Sequence, residues 1–432
     1  MAFMKKIFLA VAMGNFFLMA SGQKIDDLIT LSEVERIEKT LSADDMMGRK
    51  IFTPGIEKAA AFIKKEMKTA GLRKMKGTRK YRQSFTMLVP GPVTANGNIN
   101  GVEIAPENII AITSQKKLSI TEQSGYRLVR VSAKDEFRTK VSPLTRAKEN
   151  LIVLIDTAQM RSFNGLRRFR SAKFPSEFSQ LFVLSSSADT AAYKFSIRQK
   201  FEQQKLKNMV GILPGKSKKD EYVIFSGHYD HLGFGKPNDK GDSLYNGAND
   251  DASGITAMLQ LAKYYKAVNN NERTLIFVAF TAEESGGFGA TYFSQQLNAD
   301  KVAAMFNIEM IGTESKWGSN SAYITGYEKT DFGKILGQNL TGTAFTFYPD
   351  PYTTQNLFYR SDNATLARLG VPAHTISTSK MDIEPHYHKA SDEIGTLNLT
   401  NMTEIIKSIA ISAASIVAGK DTPTRVKVEE LR

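Results

Sequence analysis

Cysteine is absent from the 432 residues. Its absence excludes disulfide frameworks, thiolate-bound zinc, iron–sulfur clusters and cysteine nucleophiles. Histidine is scarce, with five in the whole chain, so any metal site must draw heavily on carboxylates. Glycine and proline are modest at 31 and 13 residues, while 42% of the chain is hydrophobic and 23% charged. That balance excludes collagen-like and disordered chains and predicts a globular protein with a substantial core. Neither His-Glu-x-x-His nor Gly-x-Ser-x-Gly occurs, which removes the helix-borne zinc proteases and the α/β-hydrolase nucleophile elbow. Acidic residues are in deficit, 44 against 57 basic ones, for a net charge of +13. This excess suits an anionic partner but says nothing about fold.

The N-terminus reads as a signal peptide over residues 1–22: Lys5 and Lys6, an apolar run Ile7–Met19 broken only by Asn15, then Ala20-Ser21-Gly22. The apolar run is too short to span a bilayer, and no later stretch reaches about 18 apolar residues. The mature chain is therefore expected to be exported, periplasmic or secreted, without a transmembrane segment.

Asp26–Leu72 reads as helical, with Ile56, Ala59, Ala60, Ile63 and Met67 at helical spacing and Gly71 as a closing cap. From about Ser84 to Lys205 the character changes. Short β-like runs (Phe85–Val89, Tyr126–Val131, Leu151–Ile155, Leu181–Leu184) lie among basic, serine-rich loops. Beyond Asn208, strands are predicted at Met209–Leu213, Tyr222–Ser226, Thr274–Phe280 and Val302–Ile308. Helices are expected around Ile255–Ala262 and over Met402–Val417. Buried strands alternating with amphipathic helices predict an α/β sheet covered on both faces. The expected organisation is a catalytic domain of residues 24–83 and 207–420, interrupted by a smaller β-rich domain of residues 84–206 and followed by a tail of residues 421–432.

Two motifs mislead. Gly211-Ile212-Leu213-Pro214-Gly215-Lys216-Ser217 resembles a phosphate loop but has three residues between its glycines where four are needed. Arg161, Arg167, Arg168, Arg170 and Lys173, with Phe163 and Phe169, have the composition of a nucleic-acid patch. In an exported chain a solvated face, or one attracted to anionic surfaces, is the better reading, and no nucleic-acid partner is expected.

The chemistry lies in short segments of the core. Ser226-Gly227-His228-Tyr229-Asp230-His231 follows a predicted strand, and a histidine with a carboxylate two residues on is a natural ligand with an orienting partner. Asn246–Gly254 carries Asp250 and Asp251 at the mouth of the next helix. Thr281–Gly287 follows the strongest strand, and its adjacent Glu283 and Glu284 point to different sides of the chain, so one can bind metal while the other faces a water. Asn307-Ile308-Glu309-Met310 ends another strand, and His386–Asp392 completes the set. Three of these segments follow predicted strands, and open α/β sheets bind ligands outside the carboxyl ends of their strands. Imidazole and carboxylate without sulfur suit catalytic zinc, and a bridging carboxylate allows two ions.

In this order the motifs His-x-Asp, Gly-Ala-x-Asp-Asp-x-Ser-Gly, Glu-Glu, Asn-x-(Asp/Glu)-Met and Tyr-His-x-x-x-Asp resemble metallopeptidase family 28. That family includes secreted bacterial leucyl aminopeptidases, glutamate carboxypeptidase II and glutaminyl cyclases. The segment Leu41–Arg49, followed by Thr53-Pro54-Gly55, is also similar to its bacterial members. The resemblance implies the zinc-exopeptidase fold: a mixed, mostly parallel sheet flanked by helices. It also implies two zinc ions per chain, one held by His228 and Glu309, the other by Glu284 and His388, with Asp250 between them. Glu283 would be the general base, acting on a water lying between the ions, and Asp230 would orient His228. Asp251 is read as structural, capping the helix that begins near Gly254. His231, His374 and His386 are read as satisfied loop or core histidines.

Two positions depart from the pattern. Residue 309 is Glu where the aminopeptidases usually have Asp. The tyrosine that assists their tetrahedral intermediate aligns with Phe358, which leaves Tyr359 or Arg360 as candidate donors. The insert falls where related enzymes can carry a protease-associated domain. The leading functional expectation is a zinc aminopeptidase acting on peptides. A glutaminyl cyclase-like acyl transfer and a non-catalytic binding protein on the same fold are the alternatives.

Overall fold

A computed structural model describes residues 25–187 and 192–431; the signal-peptide expectation for residues 1–22 lies outside them. The described chain falls into two compact units, one built from the segments up to Ser84 and from Leu206 onward, the other from Phe85–Lys205.

The first unit opens with α1 (Leu31–Leu41) and α2 (Pro54–Thr69). Thr30 caps α1 by accepting the Glu33 N–H, and Pro54 occupies the first turn of α2, where its missing donor is not needed. The helix expected across Asp26–Leu72 is thus interrupted. Between α1 and α2, Met47, Gly48, Arg49 and Phe52 all adopt positive φ, and the turn they form drives Arg49 into the interior. Gly48 is required there, because a Cβ would lie 2.4 Å from the Tyr245 carbonyl oxygen.

The sheet of this unit uses β1 (Tyr193–Leu213, through its final residues), β2 (Lys218–His228), β3 (Arg273–Phe280), β4 (Val302–Ile308), β5 (Ser321–Ile324), β6 (Thr346–Pro349) and β7 (Ala373–Ser377). Their spatial order is β6-β5-β7-β4-β2-β3-β1. The central run β7-β4-β2-β3 is parallel, and β1 joins β3 antiparallel. β3 and β4 are buried at every position, as strands with helices on both faces must be. α3 (Ser253–Val268) and α5 (Leu399–Ser412) pack with α1 and α2 on one face, through a core containing Ile37, Ile63, Phe225, Met258, Phe277, Phe306 and Ile406. On the other face α4 (Phe288–Gln295) contributes Phe293 to a second cluster with Val278, Met305 and Leu366. The fold is therefore mixed α/β, a large, mostly parallel sheet flanked by helices. No described helix is long and apolar enough to cross a membrane. The C-terminal segment is not free: Arg425 Nη1 donates to the Val302 carbonyl at 2.9 Å, and Val426 is buried.

The second unit holds a four-stranded sheet in the order Ile109–Ile112, Gln180–Leu184, Leu151–Ile155, Arg127–Val131. The first pair is antiparallel and the others parallel. Its core contains Ile110, Val153, Phe163, Leu166 and Phe182.

Candidate active site

The parallel register brings three chain segments to one end of the sheet. Within it His228, the last residue of β2, stands opposite Phe280, the last of β3, while Ser226 stands opposite Asn307 of β4. The turns that follow carry His228–His231, Thr281–Glu284 and Glu309 to the carboxyl edge. The loop before α3 enters the same region. A Cβ at Gly254 would lie 2.1 Å from the Ile308 carbonyl oxygen, so only glycine lets the start of α3 approach β4 this closely.

Asp250 is the centre of the cluster. Its Oδ1 lies 3.2 Å from His228 Nε2, and its Oδ2 lies 3.2 Å from His388 Nε2 and 3.9 Å from His231 Nδ1. His388 Nε2 is also 3.2 Å from Glu284 Oε2. Two groups of ligand atoms form around this carboxylate, His228–Asp250–Glu309 and His231–Asp250–Glu284. The structure thus brings His228, Asp250, Glu284, Glu309 and His388 together, with Glu283 on the adjoining turn.

The arrangement fits a metal. His228 Nε2, both His231 ring nitrogens, Glu284 Oε1 and Glu309 Oε2 are buried without a hydrogen-bond partner. Buried polar atoms are rarely left unpaired, and this concentration of imidazole nitrogens and carboxylate oxygens is the donor set zinc takes in catalytic sites.

Two expectations need correction. His231 is not a satisfied histidine. Its Nδ1 comes within 2.8 Å of Glu284 Oε1 without hydrogen-bond alignment, and neither ring nitrogen has a partner. Its position next to Asp230 in the His-x-Asp turn was the available signal. The reading holds for His374, whose ring nitrogens meet Thr330 Oγ1 and the Thr325 carbonyl, and for His386, which meets Ser391 Oγ. The second correction concerns Asp230. His228 Nδ1 lies 3.1 Å from the Asp230 main-chain carbonyl, while the Asp230 carboxylate is 3.9 Å away. That carboxylate instead accepts the Glu283 N–H at 3.1 Å, so Asp230 positions the ligand with its backbone and the Glu283 turn with its side chain.

Other residues frame the centre. Asp251 accepts the N–H of Gly254 and Met310 on Oδ1 and that of His228 on Oδ2, tying three segments together as well as capping α3. Arg49, fully buried, donates to the carbonyls of Tyr229, Leu41, Asn246 and Gly247 at 2.6–3.0 Å. It clamps the loops that carry His228 and Asp250, a role no local pattern announces. Burial pushes the Glu283 carboxyl well above the usual range, and the nearby Glu309, Asp362 and Glu284 reinforce the effect. Asp362 is itself buried with both oxygens unpaired, and burial raises its carboxyl too.

Around the candidate donors, Phe358 is buried against His374, and Tyr359 packs on Phe358. A hollow beside Glu309 is lined instead by Arg360 and Tyr387, with Tyr323, Leu357 and Met381. Tyr387 stacks on the His388 ring at 3.8 Å, and Arg360 Nη2 lies 3.4 Å from its hydroxyl.

A mixed α/β sheet thus carries an imidazole–carboxylate cluster able to hold metal at the carboxyl ends of its strands. Residues 208–412 match the model of Peptidase family M28. Similar curated proteins include "Aminopeptidase YwaD" of Bacillus subtilis (strain 168), 23% identical over 234 residues, 52% of this chain and 48% of that protein. "Probable zinc metalloprotease" of Pyrenophora tritici-repentis (strain Pt-1C-BFP) is 37% identical over 106 residues, 24% of each chain. The chain thus matches about a quarter to a half of the length of these relatives. Among solved structures, an aminopeptidase from Aneurinibacillus sp. strain AM-1 superposes with a TM-score of 0.53 at 17% identity, covering 95% of this chain and 98% of that one. BSAP, a zinc aminopeptidase from Bacillus subtilis, gives 0.54 at 16% identity over 94% and 97%. At these identities the likeness is one of fold.

Proposed function

We propose that the protein is an exported zinc exopeptidase, an aminopeptidase that releases N-terminal residues from peptides. The observation that carries this reading is the convergence of two ligand groups on the single Asp250 carboxylate, with Glu283 on the adjoining turn. His228 and Glu309 would hold one zinc, and Glu284 and His388 a second, with Asp250 shared. His231 stands against the second group.

Bound zinc would supply Lewis-acid polarisation of the scissile carbonyl and acidify the attacking water. Glu283 takes the proton from that water and returns it to the leaving amine. Asp230 fixes the Glu283 backbone, so the carboxylate is presented from a held turn. Tyr387 and Arg360, lining the hollow beside Glu309, are placed to donate to the oxygen on which charge develops. They would replace the phenol lost at Phe358.

The test is an assay of the purified mature chain against free-amine and N-blocked aminoacyl substrates, with and without chelator, alongside elemental analysis after zinc loading. Cleavage of free-amine substrates only, abolished by chelator, with about two zinc ions per active chain, is expected. Full activity with one zinc, or cyclisation of N-terminal glutamine without peptide hydrolysis, would overturn it.

A further inference from the structure

The net charge of the chain is concentrated in the Phe85–Lys205 unit. That unit carries 18 Lys and Arg against 10 Asp and Glu, a net of +8 out of +13 in about 120 residues. Such asymmetry between parts of one chain is the electrostatic footprint of an anionic partner.

Within the unit the charge is organised around a hollow of about 440 Å³, lined by Arg138, Ser142, Pro143, Thr145, Arg146, Arg168 and Phe169. That volume lies in the range of small-molecule sites. Three turns supply the arginines. Arg138 lies in the short helix Phe137–Val141, Arg146 ends the turn Pro143–Arg146, and Arg168 lies in the turn Gly165–Phe169. Each of these segments is tied to the core of this unit by an apolar residue: Val141 and Leu166 lie in it and the partly buried Leu144 packs against it. The three arginines therefore stand on a packed frame, and the Arg168 guanidinium rests over the Phe169 ring at 5.0 Å.

No carboxylate lines the hollow, and Arg138, Arg146 and Arg168 make no ion pair among the described residues. The acids beside them are already engaged. Asp135 takes Lys140 Nζ at 2.8 Å and the Ser132 N–H at 2.6 Å, while Glu136 caps the Arg138 and Thr139 N–H groups. Further along, Arg170 Nε is buried without an acceptor. Lys173 is pushed down to about 8 by burial, with Arg170 adding to the effect. Three arginines lining one hollow without an ion pair among the described residues leave its electrostatics open to an anion.

We propose that this hollow is a binding site for a phosphate-bearing polyanion, held by Arg138, Arg146 and Arg168. The guanidinium fork matches phosphate oxygens in pairs, and three forks around one cavity call for more than one negative charge. A soluble polyphosphate and the phosphate headgroups of an anionic lipid surface share this chemistry. Its residues belong to the Phe85–Lys205 unit, and none of them is in the Asp250 cluster.

The test uses the full chain in two arms, calorimetric titration with tripolyphosphate and co-sedimentation with phosphatidylglycerol-containing against pure phosphatidylcholine vesicles. One variant combines Arg138→Gln, Arg146→Gln and Arg168→Gln. A control removes the same charge from exposed positions of a strand in the same unit, with Lys194→Gln, Arg198→Gln and Lys200→Gln. The expected result is saturable 1:1 binding of tripolyphosphate, weakened at least tenfold in the pocket variant and less than threefold in the control, with thermal midpoints unchanged in both. Vesicle binding that follows the same pattern assigns the lipid source; tripolyphosphate binding without vesicle binding assigns a soluble one. Absence of saturable binding, or equal weakening in the two variants, overturns the proposal. Should the triple variant fail to fold, Arg146→Gln and Arg168→Gln alone must each weaken binding for the site to stand.

Discussion

Asp392 holds Asp250 by its backbone: Asp392 Oδ2 accepts the Asp250 N–H at 3.0 Å, while Oδ1 accepts that of Asn249 at 2.8 Å. The carboxylate at the centre of the cluster is thus fixed by a second carboxylate about 140 residues away in sequence. Asp392→Ala frees both N–H groups and loosens the loop, whereas Asp392→Asn keeps one acceptor and loses the other. Metal affinity, measured by competition with a chromogenic chelator, is expected to fall by roughly 10- to 100-fold in the Ala variant, with a smaller loss for Asn. Unchanged affinity in both would remove the positioning role.

The two neighbouring glutamates separate by paired measurement of bound zinc and kcat. Glu283→Gln keeps volume and a hydrogen-bonding amide but cannot take a proton. Zinc should remain bound while turnover falls by about 10²–10⁴-fold. Glu284→Gln should loosen one zinc and recover partly with added metal. If Glu283→Gln loses metal and Glu284→Gln retains both ions without activity, the two roles are exchanged.

His231 offers a sharper contrast, because a satisfied core histidine and a partner of the metal cluster behave differently on replacement. Its Nδ1 lies 2.8 Å from Glu284 Oε1. His231→Asn is expected to weaken the second zinc by about 10-fold or more while leaving the first in place. Retention of both ions at wild-type affinity, with only a lowered Tm, would return His231 to a packing role.

Glu38 predicts a pH-dependent stability outside the site. It is fully buried, accepts from Thr256 Oγ1 at 2.9 Å, and has its other oxygen unpaired. Burial pushes its carboxyl up to about 8 from an ordinary 4.5. The folded state therefore keeps a proton that the unfolded chain releases, so this group's contribution is greatest below pH 4.5 and is lost as pH rises towards 8. Glu38→Gln removes the titration. Its stability relative to the parent should rise with pH across that window, by at most about 1.4 kcal/mol per unit. Denaturant unfolding at pH 5, 6.5 and 8 reads the trend, and a constant difference between the two chains would refute it.

Much of the molecule was legible in the residues themselves. The strand Val302–Ile308 and the all-apolar run ending at Phe280 declared a buried parallel sheet, because continuous hydrophobicity of that length has few other stable solutions. The five ligand candidates were legible for a related reason. Metal chemistry restricts which side chains can serve, and the sheet restricts where they can stand, so short motifs after strands carry both signals at once. Tertiary structure alone decided the rest. Arg49 reads as an ordinary basic residue until the turn at Met47–Arg49 buries it beneath the carbonyls of Tyr229, Asn246 and Gly247. His231 and Asp230 differ by one position, yet one faces Glu284 unpaired while the other turns its carboxylate to the Glu283 backbone. Local sequence determines which residue types enter a turn. The direction each side chain takes depends on hydrogen-bond partners contributed by distant segments, and those are assembled only when the chain folds.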